Sequence, residues 1–270
     1  MSLVDTIWLE KNLEKVKIID CSWHMPGDKK NPEHEFKNEH IPNAIFFDLD
    51  KNSKKDSDLP HMLPSKTDWD QIISELGISK NDRIIIYDNS DVISSCRCWY
   101  NFIYFGHDPR LVSVLDGGFR KWKKENKITS NKIIKFSKTK YVGTELHILV
   151  KDKNKIDANI SKNEFIVVDA RSKERFDGKV PDPRKNVRSG SIPNSVCLPF
   201  SHVIDEDFCF KSSEHLRGIF EKTLKNQTNF PVFSCGSGVT ACVLALAYSL
   251  VKANYLPVIY DGSWAEYGKI

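Results

Sequence analysis

The residue that best suits covalent chemistry is Cys235, in the segment PVFSCGSGVTACVLALAYSL (residues 231–250). The segment predicts a short buried strand, a turn that begins at Cys235, and a long apolar helix. In parallel α/β sheets, ligands bind at the carboxyl ends of strands and against helix N-termini. A loop with glycines lets backbone N–H groups converge on one point, which favours a thiolate and would equally hold a persulfide anion. The expected persulfide-cradling loop consists of Gly236, Ser237, Gly238, Val239 and Thr240.

Plainer interpretations of the cysteines stay open at this stage. A cysteine flanked by glycine before a helix is often only a small residue at a tight turn. Cys242 lies two helical turns further on and is expected in the core, and the role of Cys96 and Cys98, a CxC pair, is undetermined. The seven cysteines contain no CxxC pair, so neither a disulfide framework nor a zinc site is predicted. We expect no metal and no organic cofactor.

The chain contains an internal duplication. Four short segments of the N-terminal half recur in the same order in the C-terminal half, at offsets of 145 to 151 residues. The matched residues are Asp20 with Asp169, Ile41 with Ile192, Asp88 with Cys235, and Asp116 with Asp261. Because Asp88 stands opposite Cys235, the thiol belongs to one copy and not to the fold in general. We therefore expect the first copy to be catalytically inactive.

The repeat predicts two domains. We place an N-terminal domain at residues 1–137, a linker at 138–150 and a C-terminal domain at 151–270. Within each copy, short β-branched runs alternate with helical stretches such as TDWDQIISELG. This alternation predicts the α/β class, with a mainly parallel sheet in each domain and helices on both of its faces.

The composition excludes several classes of protein. With 270 residues, of which 40% are hydrophobic and 28% charged, the chain has the composition of a folded protein of two domains. No apolar run approaches a membrane span, and the net charge of +4 comes from scattered lysines without a basic block. We expect neither a membrane nor a nucleic-acid partner. The first segment, MSLVDTIWLEKNLEK, has no apolar signal core, so a cytoplasmic location is expected.

The loop CGSGVTA resembles the active-site loop of 3-mercaptopyruvate sulfurtransferases, which belong to the tandem rhodanese family. The resemblance extends over nearly the whole chain through the motifs DARS, RFDG, SGSIP, HIPNA, HMLP and LDGGFRKW. It implies two tandem rhodanese-like domains, of which only the C-terminal one is catalytic. Thiosulfate-preferring relatives carry basic residues after the cysteine, whereas Gly236 and Ser237 follow it here. This difference favours 3-mercaptopyruvate as the sulfur donor.

Transferred position by position, the resemblance implies a triad of Ser237, His61 and Asp50. His61 stands before Met-Leu-Pro, and Asp50 lies eleven residues earlier in the segment FFDLD, where Asp48 is the competing candidate. An aspartate can orient a histidine, which in turn pairs with a serine. Such a triad can accept and return the proton of a substrate thiol. A histidine in a surface loop before a proline is the plainer interpretation of His61.

The resemblance also maps the substrate-binding arginines of the family to Arg175, in RFDG, and to Arg184, in PDPR. Guanidinium groups suit the carboxylate and keto oxygen of a small 2-oxo acid. Arg188 lies nearby, and an isolated arginine in a polar loop is usually solvated. No substrate contact beyond the two arginines is assigned, because the intervening segment holds few acidic residues.

The implied reaction is a two-step cycle. Cys235 takes sulfur from 3-mercaptopyruvate as a persulfide, pyruvate leaves, and an acceptor removes the sulfur; thioredoxin, a small thiol or cyanide would serve. Two alternatives remain, a thiosulfate sulfurtransferase and a non-catalytic sulfur-carrier or regulatory module. A cysteine phosphatase is disfavoured because Thr240 and Ala241 stand where its phosphate-binding arginine would be expected.

Overall fold

The chain forms two compact units in a computed structural model that describes residues 2–225 and 229–270. The first unit comprises Met1–Lys55, Leu63–Leu146 and Glu206–Cys209. The second comprises Asp56–Met62, His147–Asp205 and Phe210–Ile270. The segment Asp56–Met62 thus belongs to the second unit although it lies in the N-terminal half of the sequence. The domain boundaries expected at residues 137 and 151 stay predictions.

The first unit is built on a five-stranded sheet in which neighbouring strands pair in parallel. Its strands are β1 (Leu3–Val4), β2 (Lys17–Asp20), β3 (Ala44–Phe46), β4 (Ile84–Tyr87) and β5 (Val112–Leu115). Its helices are α1 (Thr6–Glu10), α2 (Pro32–Asn38), α3 (Lys66–Glu75), α4 (Ser95–Tyr104) and α5 (Gly118–Lys124). The strand order is β1-β5-β4-β2-β3.

The second unit repeats this plan, so the predicted duplication and α/β class are confirmed. Its strands are β6 (Val150–Lys151), β7 (Ile166–Asp169), β8 (Val196–Cys197), β9 (Pro231–Ser234) and β10 (Ile259–Tyr260). Its helices are α6 (Lys153–Lys162), α7 (Lys173–Phe176), α8 (Ser213–Leu224), α9 (Val239–Ser249) and α10 (Ser263–Tyr267), with 3₁₀ turns at His147–Leu149 and Phe200–Val203. The parallel order β6-β10-β9-β7-β8 is that of the first sheet.

Each sheet reverses its winding between two central strands. In the first unit the chain leaves β2 toward β3 on one side, then crosses back to β4 and continues to β5 on the other side. The loops that follow β2 and β4 therefore diverge and leave a crevice at the carboxyl ends of these strands. In the second unit the equivalent strands are β7 and β9, and Cys235 follows β9 directly.

Apolar side chains from both the strands and the helices bury each sheet. The core of the first unit includes Ile18, Ile85, Tyr87, Leu115, Phe119 and Trp122. The core of the second unit includes Val167, Ile192, Val232, Tyr260 and Trp264. Helix α9 is buried on nearly all sides, which explains why its sequence has no polar face. Within the described ranges, no helix has both the length and the apolar character needed to cross a membrane.

The segment 138–146 packs on the first unit through its backbone. The amide of Tyr141 donates to Ser74 Oγ at 2.9 Å, and the amide of Gly143 donates to Asp70 Oδ1 at 2.7 Å. The Tyr141 ring is buried, with the ammonium group of Lys80 5.1 Å from its centre and the ring of His107 stacked against it. This part of the predicted linker is therefore held by specific contacts with helix α3 and its neighbours.

Candidate active site

The strand, turn and helix predicted around Cys235 are present. β9 ends at Ser234, and α9 begins at Val239, so the turn consists of residues 235–238. The Cys235 side chain is buried, and the amide of Gly238 donates to its Sγ at 3.1 Å. Gly238 adopts a φ of +79°, a left-handed conformation that a side chain would disfavour. The loop thus directs a backbone donor at the sulfur.

The conformation of this loop is held by the start of α10. The amide of Cys235 donates to Ser263 Oγ at 3.1 Å, and the Ser263 hydroxyl donates to the Tyr260 carbonyl at 2.8 Å. The amide of Trp264 donates to the Cys235 carbonyl at 3.0 Å, and that of Ala265 to the Gly236 carbonyl at 2.9 Å. Sequence reasoning missed Ser263, although the motif DGSW around it is one of the repeated segments.

His61 and Ser237 lie together in the second unit. His61 Nδ1 is 3.0 Å from Ser237 Oγ, and both side chains are buried. His61 adopts a φ of +60°, which is uncommon for a residue with a side chain and turns the backbone sharply before Pro64. The structure therefore brings together two members of the expected triad that lie 176 residues apart in sequence.

The aspartate expected to complete the triad belongs to the first unit. Both carboxylate oxygens of Asp50 accept a hydrogen bond from Trp23 Nε1, each at 3.1 Å. The competing candidate Asp48 is engaged with Lys51, whose Nζ lies 2.9 Å from its carboxylate. The role of Asp50 beside His61 stays a prediction.

The two candidate arginines converge beside the cysteine loop. A Cβ placed on Gly236 would lie 3.0 Å from Arg184 Nη2 and 3.5 Å from Arg175 Nη2, so the absence of a side chain there makes room for both guanidinium groups. Arg175 lies in the short helix α7, whose capping residue Ser172 accepts from its amide. Arg184 lies in the loop that follows. Two cationic groups thus lie next to the loop that carries Cys235.

A carboxylate that sequence reasoning missed holds these arginines. Asp182, whose side chain is 1% exposed, lies 2.7 Å from Arg175 Nη2 and 3.1 Å from Arg184 Nη1. Burial opposes ionisation of Asp182, but hydrogen bonds from Arg175 and from the Arg184 amide outweigh it and hold the pKa of this carboxyl below its usual value. Its position in the motif PDPR, two residues before Arg184, was the feature of the sequence that could have identified it.

The remaining sequence candidates lie elsewhere. Arg188 donates to the Tyr267 carbonyl and lies over the Trp264 ring, so its guanidinium group faces α10. Cys242 is a buried residue of α9, as expected. Cys96 and Cys98 are both fully buried in α4.

The counterpart of Cys235 in the first unit is a carboxylate that its own loop satisfies. Asp88 follows β4, and its two oxygens accept from the amides of Ser90 at 2.8 Å and Ser95 at 2.9 Å. Burial raises the pKa of Asp88 above its usual value. The loop amides of the first unit therefore meet a carboxylate, whereas in the second unit the Gly238 amide meets a thiol sulfur.

No group of three or more His, Cys, Asp or Glu side chains within residues 2–225 and 229–270 is arranged to hold a metal ion. The second unit brings together a buried thiol, a histidine–serine pair and two guanidinium groups, and this set of groups suits sulfur transfer from a small anionic donor.

The fold and this site agree with a known family. Residues 5–125 and 152–269 each match the rhodanese-like domain family. These two stretches make up most of the chain, so the chain belongs to that family and carries its domain twice, in tandem.

Particular relatives are also similar over nearly the full length. The chain is 37% identical over 276 residues to the 3-mercaptopyruvate sulfurtransferase of Mus musculus, covering 98% of this chain and 91% of the relative. It is 36% identical over 288 residues to the mitochondrial thiosulfate/3-mercaptopyruvate sulfurtransferase 1 of Arabidopsis thaliana, covering 98% and 75%. SseA from Escherichia coli, a 3-mercaptopyruvate sulfotransferase of known structure, matches with a TM-score of 0.87 and 29% identity, covering 98% and 99%. Because one relative is mitochondrial, the cytoplasmic location stays a prediction.

Proposed function

We propose that this chain is a sulfurtransferase that moves sulfur from 3-mercaptopyruvate through a persulfide on Cys235 to a thiol acceptor, with release of pyruvate. Full-length similarity to enzymes named for 3-mercaptopyruvate or thiosulfate supports sulfurtransferase activity of this type. The observation that carries the choice of donor is the pair of guanidinium groups, Arg175 and Arg184, beside Gly236. Two arginines next to a nucleophile fit a donor with a carboxylate.

The arginines would orient the 2-oxo acid. Asp182 holds both of them in place, so little side-chain entropy is lost when a ligand binds. Arg175 Nε is buried and has no hydrogen-bond partner among the described residues. A carboxylate oxygen of the donor would satisfy this donor group, and Arg184 would reach the keto oxygen. In this orientation the sulfur of the substrate would point toward Cys235.

In the first step the Cys235 thiolate attacks the substrate sulfur. An S–S bond forms as the C–S bond breaks, and the electron pair of that bond leaves with the three-carbon fragment as the enolate of pyruvate. The proton of the substrate thiol passes to the Ser237–His61 pair and returns to the enolate carbon. The persulfide anion left on Cys235 would be held by the amide of Gly238 and by the N–H groups of Val239 and Thr240 at the start of α9.

In the second step an acceptor thiolate attacks the outer sulfur of the persulfide. This attack makes a new persulfide on the acceptor and restores the Cys235 thiolate. A protein dithiol of the thioredoxin type or a small thiol would serve as acceptor, and cyanide would serve in an assay. Asp50 is the residue that the resemblance assigns as the third member of the triad. The first unit, with Asp88 in place of the thiol, would have no nucleophile of its own.

The proposal is tested by measuring pyruvate release from 3-mercaptopyruvate, beside thiocyanate formation from thiosulfate and cyanide. We expect 3-mercaptopyruvate to be the better donor for the wild-type chain and Cys235→Ser to abolish both reactions. Cys197→Ser is the matched control, because Cys197 is a partly exposed thiol at the end of β8, outside the loop. Mass spectrometry should show one extra sulfur on Cys235 when donor is present without acceptor.

A clear preference for thiosulfate would contradict the assignment of the donor and leave the alternative, a thiosulfate sulfurtransferase. No turnover of either donor by the folded protein would instead favour a sulfur carrier or regulatory module. Equal loss of activity in Cys197→Ser and Cys235→Ser would contradict the assignment of the nucleophile.

A further inference from the structure

The first unit contains a pocket where its sheet reverses winding. The pocket has a volume of about 310 Å³ and lies at the carboxyl ends of β2 and β4. Its polar lining includes Asp20, Ser22, Glu35, Asn89, Arg120 and Lys123. In open α/β sheets this crevice is the usual site for a ligand. The first copy of the domain thus has Asp88 where the second has Cys235, and it has a pocket at the carboxyl ends of its central strands.

Two backbone amides of the loop in this copy already bind its own carboxylate. The Asp88 carboxylate already accepts from the amides of Ser90 and Ser95. A ligand of this pocket must therefore be recognised by the side chains of the walls, and a sulfur anion held as on Cys235 is not its natural occupant.

The walls carry opposite charges. Asp20 and Glu35 line the side formed by β2 and α2, while Arg120 and Lys123 line the side formed by α5, where Lys123 Nζ pairs with Glu39 at 2.5 Å. Asn89 lies between them, because its Nδ2 donates to Glu35 at 3.4 Å and its carbonyl accepts from Arg120 Nη2 at 3.5 Å. The pocket therefore presents a carboxylate and a guanidinium group separated by one residue.

These charged groups are held in position before any ligand binds. Glu35 Oε2 lies 2.9 Å from Nε2 of the buried His24, and the amide of Asn89 donates to Ser22 Oγ at 2.8 Å. Arg120 pairs with Asp91 through the same nitrogen, Nη2, that contacts Asn89. These two contacts of Arg120 both use Nη2, so a ligand oxygen would be met by Nε or Nη1.

We propose that this pocket binds a free α-amino acid. The ammonium group would lie against Glu35 and Asp20, and the carboxylate would lie against Arg120 and Lys123. Phe36 and Phe119 also line the pocket and would contact the side chain. The volume lies at the lower end of the range for small-molecule sites, which suits a ligand of this size. A ligand with one charge would contact only one of the two walls, so it would bind more weakly.

Isothermal titration calorimetry and thermal shift with the natural α-amino acids test this site. We expect at least one of them to bind the wild-type chain below about 10 mM, and ethylamine and propanoate to bind at least about tenfold more weakly. Arg120→Gln and Glu35→Gln should each weaken binding of that amino acid at least about tenfold. Neither variant should alter the rate of sulfur transfer.

Two controls separate this site from others on the chain. Arg175→Gln should bind the amino acid as the wild-type chain does, because Arg175 lies in the second unit. Arg110→Gln removes an exposed arginine away from the pocket and should have no effect. The proposal is overturned if no amino acid binds, if ethylamine or propanoate binds as well, if Arg120→Gln and Glu35→Gln bind normally, or if binding is lost in Arg175→Gln instead.

Discussion

At the scale of single residues, Asp182 decides how the arginines of the second unit are arranged. It touches no part of the cysteine loop in the described contacts, yet its two oxygens reach Arg175 and Arg184. Without it, two guanidinium groups so close to one point would repel each other and move apart. We therefore regard Asp182 as a positioning residue for the donor.

Asp182→Asn keeps the shape of the side chain but replaces one acceptor oxygen with a donor. One of the two arginines then faces an amide NH₂ group and must shift, so kcat/KM for 3-mercaptopyruvate should fall by about tenfold or more. Steady-state kinetics of pyruvate release measure this change, and Asp182→Glu should recover part of it.

Asp177→Asn is the matched control for this prediction. Asp177 lies directly after α7 and pairs with Lys173 and Lys179, so its loss should leave kcat/KM unchanged. If Asp182→Asn lowers only the stability of the fold and leaves the kinetics intact, its role is structural.

At the scale of elements, the equivalent strands β2 and β7 end in the same residue but in different surroundings. Asp169 is buried and paired with Arg171, whose guanidinium group contacts both carboxylate oxygens and also donates to the Gly190 carbonyl at 2.8 Å. Asp20 has Ser22 at the position of Arg171, and the Ser22 amide donates to its carboxylate at 2.9 Å. The buried carboxylate is thus stabilised by a guanidinium group in the second unit and by a backbone amide in the first.

Removal of Arg171 should destabilise the second unit strongly. Arg171→Leu leaves the Asp169 carboxylate buried without its cation, and breaking such a pair costs about 3–5 kcal/mol of unfolding free energy. Urea denaturation followed by fluorescence measures the loss. Adding Asp169→Asn to Arg171→Leu should restore part of it, whereas Arg110→Leu at the surface should change little. A loss no larger than that of Arg110→Leu would contradict the prediction.

Asp20 should lower the free energy of unfolding as pH rises, whereas a carboxylate paired with a cation raises it. Burial raises the pKa of Asp20 to about 6, above the ordinary 3.8, so the folded state holds a proton that the unfolded chain releases. The stabilisation from this proton is complete below the unfolded pKa and is lost as pH rises through about 6.

Asp20→Asn removes this titration. We expect it to stabilise the protein by up to roughly 3 kcal/mol at about pH 8 and to have little effect at about pH 4. Thermal unfolding at the two pH values compares the variant with the wild-type chain. An equal effect at both values would show that the substitution acts through packing and not through charge.

At the scale of the whole chain, the stretch after the first repeat behaves as part of a folded unit. Residues 138–146 contain no helix or strand in the described structure, but Thr139, Tyr141 and Gly143 each donate a backbone hydrogen bond to α3. A polar composition alone would equally suit a free linker. The buried ring of Tyr141 shows that this stretch is packed and is not a free linker.

Trypsin should therefore cut this stretch slowly. Lys138 and Lys140 are exposed, but their backbone lies in the packed segment, so cleavage requires local opening. Tyr141→Ala removes the buried ring and should speed cleavage at these lysines by about tenfold or more, as measured by limited proteolysis and mass spectrometry. Val142→Ala, at an exposed neighbour, is the control. Fast cleavage of the wild-type chain would show that the segment is not held.

Many features of this protein could be predicted from local patterns in its sequence. The repeat, the alternation of strands and helices, and the turn at Cys235 each depend on residues that are close in sequence, so the fold class and the position of the thiol were predictable. The family resemblance also pointed to His61, Ser237, Arg175 and Arg184, and the structure places His61 beside Ser237 and the two arginines beside Gly236.

The sequence by itself thus determined two α/β copies, one of them with a thiol at the end of a strand. Only the tertiary structure decided which distant groups lie around the loop of that thiol. These are His61, which the segment Asp56–Met62 brings into the second unit, Ser263, which holds the loop, and Asp182, which holds the arginines. The physical reason is that backbone propensities and apolar periodicity act over a few residues. Polar contacts of buried groups are instead selected by the packed fold, where an unpaired donor or charge is costly.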